Sequence, residues 1–160
     1  MKIMAVSDSH GRIGNIRKAY AKVKPVDLFI HLGDVEDDQS EIESFVSCRK
    51  EFVRGNCDFF SRNPDDKMIE VCGKKILLTH GHTHGAGYGT EELEETGCRY
   101  GADIVLYGHT HMPLLVYKEK VILFNPGSIS KPRQDGHKPV FGIIEINEKG
   151  EVLFNHVYLQ

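Results

Sequence analysis

Five short apolar runs in this chain end in the same way, and that shared ending constrains the fold more than any other feature. IMAVS leads into Asp8-Ser9-His10, LFIHL into Gly33-Asp34, and EFVR into Gly55-Asn56. KILLT leads into His80, and DIVLY into Gly108-His109-Thr110-His111. The runs have the length and composition of buried strands. In α/β sheets, ligands bind in the crevice outside the carboxyl ends of the strands. If the five strands are neighbours in one sheet, Asp8, His10, Asp34, Asn56, His80, His109 and His111 share one small volume.

One Asp or Asn after a strand is an ordinary turn residue. Five polar tips in succession, all with metal-ligand chemistry, are hard to explain as turns. Crowded carboxylates and imidazoles also need a neutralising partner, which divalent cations provide. Two carboxylates, one amide and four imidazoles are too many for one ordinary site and suit two ions sharing a bridging carboxylate. Mixed O/N ligation favours Mn²⁺, Fe²⁺, Zn²⁺, Co²⁺ or Ni²⁺ over Ca²⁺ or Mg²⁺. Two such ions, roughly 3.5–4 Å apart, can stabilise the attacking and leaving oxygens of a phosphoryl group.

Further strands are expected at MIEVC, LLVYKEKVILF, VFGIIEI and EVLFNHVYL. IGNIRKAYAKV and GTEELEETGCRYG have helical spacing, the second with a Thr90 cap and a stop at Gly101. QSEIESFVSCRK is a weaker helix. Strand and helix alternate in the first half, and the chain is nearly all strand after about Leu114. No linker or low-complexity stretch interrupts residues 1–160, so a single α/β domain is expected.

Hydrophobic residues make up 40% and charged residues 27%, a globular profile, with a net charge of -3. That charge argues against a protein that mainly grips nucleic acid through a basic face. Cys48, Cys57, Cys72 and Cys98 form no C-x-x-C pair, so a structural zinc site is not expected. The opening MKIMAVSDSHG lacks the apolar stretch of a signal peptide, and no run approaches the ~20 residues of a membrane span. A cytoplasmic protein with reduced thiols is the expectation.

Asp8-x-His10, Gly33-Asp34, Gly55-Asn56-x-Asp58, His80 and Gly108-His-Thr-His111 stand in the order found in the calcineurin-like metallophosphoesterase superfamily, which this chain resembles. The short length, the GNCD variant and NPGSISKPR at 125–133 look like its small YfcE-type phosphodiesterase branch. The resemblance implies a two-sheet β-sandwich flanked by helices, with metals at the strand ends. By motif, Asp8, His10, Asp34 and His111 would hold one ion, and Asp34, Asn56, His80 and His109 the second, with Asp34 as the bridge. A metal-bound hydroxide would then attack phosphorus. The branch implies a metal-dependent phosphodiesterase acting on a small phosphodiester, with Mn²⁺ as the first choice of ion. Asp34, Asn56, Cys57 and His80 would lie closest to the reaction.

In most of the superfamily a histidine follows the motif asparagine; here it is Cys57. An imidazolium can meet a phosphate dianion or protonate a poor leaving group, which a neutral thiol does badly. Cys57 is therefore read as a pocket-lining residue that is not a ligand and that favours diesters over monoesters. The bland alternative is packing, because free cysteine often behaves as a small hydrophobe. Asp58 reads equally as an orienting residue or a surface turn acid. His82 is read as a substrate or supporting contact, His84 less so, and His31 as a packed histidine. Arg133, and more weakly Arg12, could meet a phosphate oxygen, though NPGS also reads as a plain turn. His137 and His156 receive no role. The strand-rich final third could pair across a homodimer. The competing function is a non-catalytic protein-binding scaffold on the same fold, as the retromer subunit resembles this family. Such a scaffold could lose ligands freely, whereas all seven positions are filled here.

Overall fold

A computed structural model describes residues 1–160. The strands are β1 (Lys2–Val6), β2 (Leu28–His31), β3 (Arg49–Phe52), β4 (Asp66–Val71), β5 (Lys74–Thr79), β6 (Ile104–Leu106), β7 (Pro113–Tyr117), β8 (Ile122–Pro126), β9 (Val140–Ile146) and β10 (Val152–Tyr158). The helices are α1 (Gly14–Val23), α2 (Gln39–Phe45) and α3 (Glu91–Tyr100), with 3-10 turns at Glu36–Asp38 and His82–His84. The strands form two five-stranded mixed sheets, ordered β10-β9-β1-β2-β3 and β4-β5-β6-β8-β7.

The polar strand tips therefore do not come from one sheet. β1, β2 and β3 run parallel in the first sheet, and β5, β6 and β8 run parallel in the second. The tips meet because the two sheets stack face to face with these carboxyl ends on one side. Each polar tip still follows its strand as expected.

Side-chain alternation explains the layers. Ile3, Ala5, Leu28 and Ile30 face Ile76, Leu78, Ile104, Leu106 and Phe124 across the space between the sheets. The intervening Met4, Val6 and Phe29 turn outward under α1 and α2. Leu77, Val105 and Leu123 turn outward under α3. Strands buried on both faces are apolar throughout, which is why they read as continuous runs. Each fully buried Leu, Ile or Phe contributes roughly 1.5–3 kcal/mol relative to exposure.

The helices follow the same logic. α1 buries Ile16, Ala19 and Tyr20 at i, i+3 and i+4. α3 buries Leu93, Thr96 and Gly97 and stops at Gly101, whose φ of 66° suits glycine. Thr90 occupies the N-cap, but its hydroxyl makes no capping bond. The helix expected over QSEIESFVSCRK ends early, at Phe45, where Val46 turns extended. Arg49 and Lys50 pair instead with Leu28 and Phe29 in the parallel ladder. Sheet pairing outweighs local helical preference there.

Candidate metal centre

The loop after β1 delivers Asp8 and His10, and the loop after β2 delivers Asp34. The loop after β3 delivers Asn56, β5 leads into His80, and the loop after β6 delivers His109 and His111. Eight non-glycine residues have positive φ, and five of them are Asp8, His10, Asp34, His109 and His111. L-residues rarely adopt this conformation, and such strain gathers at functional sites. Glycines make the close approach feasible. A Cβ on Gly55 would collide with the Asp34 backbone nitrogen and carboxylate, and one on Gly33 would come 2.7 Å from His80 Nδ1.

Donor atoms of Asp8, His10, Asp34 and His111 all lie within 4.8 Å of one another. Asp8 is fully buried, and neither carboxylate oxygen has a hydrogen-bond partner. His111 Nε2 lies 3.2 Å from Asp8 Oδ1. His10 Nε2 faces His111 Nε2 at 3.3 Å. A buried carboxylate without hydrogen bonds is costly, and a divalent cation among these atoms removes the cost.

Asp34 is 2% exposed, and its two oxygens are differently engaged. Oδ1 accepts the Cys57 N–H at 2.8 Å. Oδ2 lies 3.6 Å from His10 Nε2 and 3.5 Å from His80 Nε2, between the two halves of the site. Burial pushes the Asp34 carboxyl up, but bonding and charge from His80, with the Cys57 N–H, hold it well below the usual carboxylate range. His80 Nε2 is also 3.1 Å from Asn56 Oδ1, and the His109 ring centroid is 5.2 Å from that of His80. Burial lowers the His80 pKa, but Asp34 and Asp8 outweigh it and raise the value overall. His109 is lowered, first by burial and then by His80.

Three imidazoles are aimed by their second nitrogens. His80 Nδ1–H donates to the Leu32 carbonyl at 2.7 Å, and His111 Nδ1–H to the Lys131 carbonyl at 2.6 Å. His10 Nδ1 meets Glu36 Oε1 at 3.1 Å. A carbonyl can only accept, so the Nδ1–H tautomer leaves Nε2 of His80 and His111 with its lone pair toward the cluster. Metal-binding histidines are oriented this way. The oxygen and nitrogen donors thus fit divalent ions.

A family model described as the calcineurin-like phosphoesterase superfamily domain matches residues 1–149. The chain belongs to this superfamily. A probable metallophosphoesterase of Bacillus subtilis, YsnB, is 34% identical over 138 residues, covering 83% of this chain and 78% of YsnB. Escherichia coli phosphodiesterase YfcE is 31% identical over 101 residues, covering 58% of this chain and 50% of YfcE. The resemblance to small YfcE-type superfamily members therefore holds, and these relatives support a hydrolase. The fold is also that of Entamoeba histolytica Vps29 in complex with Zn²⁺, with a TM-score of 0.81, 21% identity and 99% of each chain covered. Superfamily membership implies divalent metal ions, and this cluster is where the superfamily chain can hold them.

Cys57 lines the cleft together with His10, Asp34, Asn56, His109, His111, Lys131 and Arg133, which enclose about 180 Å³. Its thiol is pushed up to about 11, first by burial and then by Asp34. Burial and the surrounding acids thus favour the protonated thiol. Arg133 lies at the cleft. Lys131, a neighbour the sequence reading passed over, lines it too. Arg12 does not line the cleft. His82 sits beside His80, the ring centroids 5.4 Å apart, with its Nδ1 buried and unbonded. Burial, then the charge of His80, lowers its pKa. His84 turns away and bonds Asp66 on β4 at 2.9 Å. His31 is packed, 3.0 Å from Ser9 Oγ and stacked on Phe52. His156 packs too, stacked on Phe124.

Asp58 is not a surface turn acid. It is 3% exposed, and its carboxylate accepts N–H groups from Asp34 (2.8 Å), Glu36 (2.6 Å) and Gly55 (2.7 Å). It ties the loop after β2 to the loop after β3. NPGS likewise acts as more than a turn. Asn125 Nδ2–H donates to the Gly108 carbonyl, and Ser128 Oγ–H donates to the Asp8 carbonyl at 2.9 Å. No local pattern in the sequence shows these partners, because each lies across the fold.

Proposed function

We propose that the protein is a dinuclear metal-dependent phosphodiesterase, a single domain over residues 1–160, that prefers diesters to monoesters and works in the cytoplasm. The observation that carries the reading is the fully buried Asp8 carboxylate with no hydrogen bond, facing oriented imidazole nitrogens. Asp8, His10, Asp34 and His111 would hold one ion, and Asp34, Asn56, His80 and His109 the other. Two ions, Mn²⁺ or else Ni²⁺, Co²⁺, Fe²⁺ or Zn²⁺, would supply an activated water and Lewis-acid stabilisation of the phosphoryl oxygens.

The chain's own residues do the rest. Asp34 Oδ2 lies near both His10 Nε2 and His80 Nε2 while its Oδ1 is anchored to Cys57 N–H, so the carboxylate would be held in position to serve both ions. The carbonyls of Leu32 and Lys131 keep the protons of His80 and His111 on Nδ1. Lys131 and Arg133 supply positive charge at the cleft for a phosphoryl oxygen. The neutral Cys57 thiol cannot replace the imidazolium that would meet a dianion. A diester carries one fewer charge and suffers less from that lack. No thiolate nucleophile is required.

The test uses metal-stripped protein titrated with Mn²⁺ on a chromogenic phosphodiester and on the matching monoester. Activity should rise with metal on the diester and stay low on the monoester. Silence with Mn²⁺, Ni²⁺, Co²⁺ and Zn²⁺ alike would shift the reading to the scaffold. Cys57→His should raise monoesterase relative to diesterase activity by about 100-fold, the lower end of what one positioned general acid contributes. An unchanged ratio would remove Cys57 as the selector.

A further inference from the structure

Phe59 and Phe60 are 82% and 91% exposed, although they directly follow the buried Asp58. The cause is a turn. Ser61 N–H donates to the Asp58 carbonyl at 3.1 Å, which places both phenylalanines at its central positions. The turn is held fixed because the Asp58 carboxylate is bound to three backbone N–H groups. Two adjacent aromatic rings are thus presented to solvent on a rigid mount, beside the proposed metal cleft. Large exposed apolar side chains of this kind mark binding sites.

The rings wall a recess of about 340 Å³ with Glu36, Asp37, Cys57 and Ser61. Cys57 also lines the metal cleft, so the two spaces adjoin. No lysine, arginine or histidine lines the recess. The Asp38 carboxyl, next in sequence to Asp37, is pushed up, first by burial and then by the charges of Glu41, Glu36 and Asp37. Lys131 and Arg133 line the metal cleft and do not line the recess. The two adjoining spaces therefore differ in character: the cleft carries Lys131 and Arg133, and the recess carries aromatic rings and carboxylates, with Arg62 lining the next space along from Phe60.

We propose that the Phe59–Phe60 recess is a subsite for a cationic amino-alcohol arm of the phosphodiester, an ammonium or quaternary ammonium group. Aromatic faces with nearby carboxylates attract such a cation through the ring quadrupole and through charge. The same carboxylates repel an arm carrying further phosphates. The cleft with Lys131 and Arg133 takes the phosphoryl group, while the recess takes the positive end of the ester arm. This subsite rests on the phosphodiesterase reading, and it deepens that reading by naming the substrate class.

The test separates binding from turnover. Ring resonances of Phe59 and Phe60, assigned with Phe59→Leu and Phe60→Leu, are followed by NMR during titration with choline, with its uncharged isostere 3,3-dimethylbutan-1-ol, and with adenosine. Choline should shift both rings saturably, with an apparent Kd about ten-fold below that of the isostere, from two ring contacts and the adjacent charge. Asp37→Asn should shrink that ratio. Equal responses to choline and the isostere, no response at all, or a tighter response to adenosine would each overturn the proposal. Separately, Mn²⁺-dependent turnover of methyl p-nitrophenyl phosphate by the unaltered protein reports on the phosphodiesterase reading. Its failure is thus distinct from failure of the subsite.

Discussion

The carboxylate of Asp58 takes hydrogen bonds from three backbone N–H groups in two loops, so changing it disturbs both loops together. Asp58→Asn keeps the shape but exchanges one acceptor oxygen for a donor, leaving at least the Glu36 N–H, on Oδ1, without its acceptor. We expect a loss of about 1–3 kcal/mol in denaturant unfolding. Mn²⁺ affinity, measured by calorimetry, should fall about 10–100-fold, as for other residues that orient ligands. A second residue, His31, contributes to the loss of stability in acid. Burial lowers its pKa from 6.5 to about 3, so the folded state holds it neutral. The unfolded chain binds its proton near pH 6.5, so stability is full above that pH and is lost as pH falls toward 3. His31→Phe should flatten this limb of the stability curve relative to the parent, measured by urea unfolding at stepped pH. Asp58 and His31 were both visible in the sequence, one as an ambiguous acid and one as a packed histidine. The partners of Asp58 were not visible, because Asp34 and Glu36 are 24 and 22 residues away.

At the scale of elements, the periodicity of apolar residues carried most of the information. Every expected apolar run holds strand, because the central strands, buried on both faces, must be apolar throughout; LLVYKEKVILF, however, is not one strand but the antiparallel pair β7 and β8, turned between Tyr117 and Ile122. QSEIESFVSCRK departed from expectation because its second half found a parallel partner in β2, a long-range pairing with no local mark. β9 shows another such effect. Gly142 looks like an interruption in VFGIIEI, but a Cβ there would lie 2.8 Å from Phe124 Cζ of β8. Phe124 is fully buried and packs with Phe154 at 5.2 Å between centroids. Gly142→Ala should therefore overpack the junction of the two sheets and cost about 1–3 kcal/mol, read from the denaturation midpoint. An unchanged midpoint would mean that Phe124 can swing aside.

For the whole molecule, the proposed centre draws its donors from both sheets, so metal and fold are coupled. Asp8, His10, Asp34 and Asn56 come from the first sheet, and His80, His109 and His111 from the second. Metal bound only by the folded state adds about 2.7 kcal/mol when free ion is a hundred times Kd. Chelation should lower Tm, and readdition of Mn²⁺ should restore it in a concentration-dependent way, as followed by differential scanning calorimetry. A Tm indifferent to metal would argue against an ion linking the sheets. The sequence by itself determined the strands, the seven candidate donors and the resemblance that joins them, because burial pattern and side-chain chemistry are local properties. Only the tertiary structure decided that the donors arrive from two sheets, that Asp58 and the Leu32 and Lys131 carbonyls aim them, and that Phe59 and Phe60 stand open beside them. Those facts depend on which distant backbones approach each other, and that is set by packing the two sheets together.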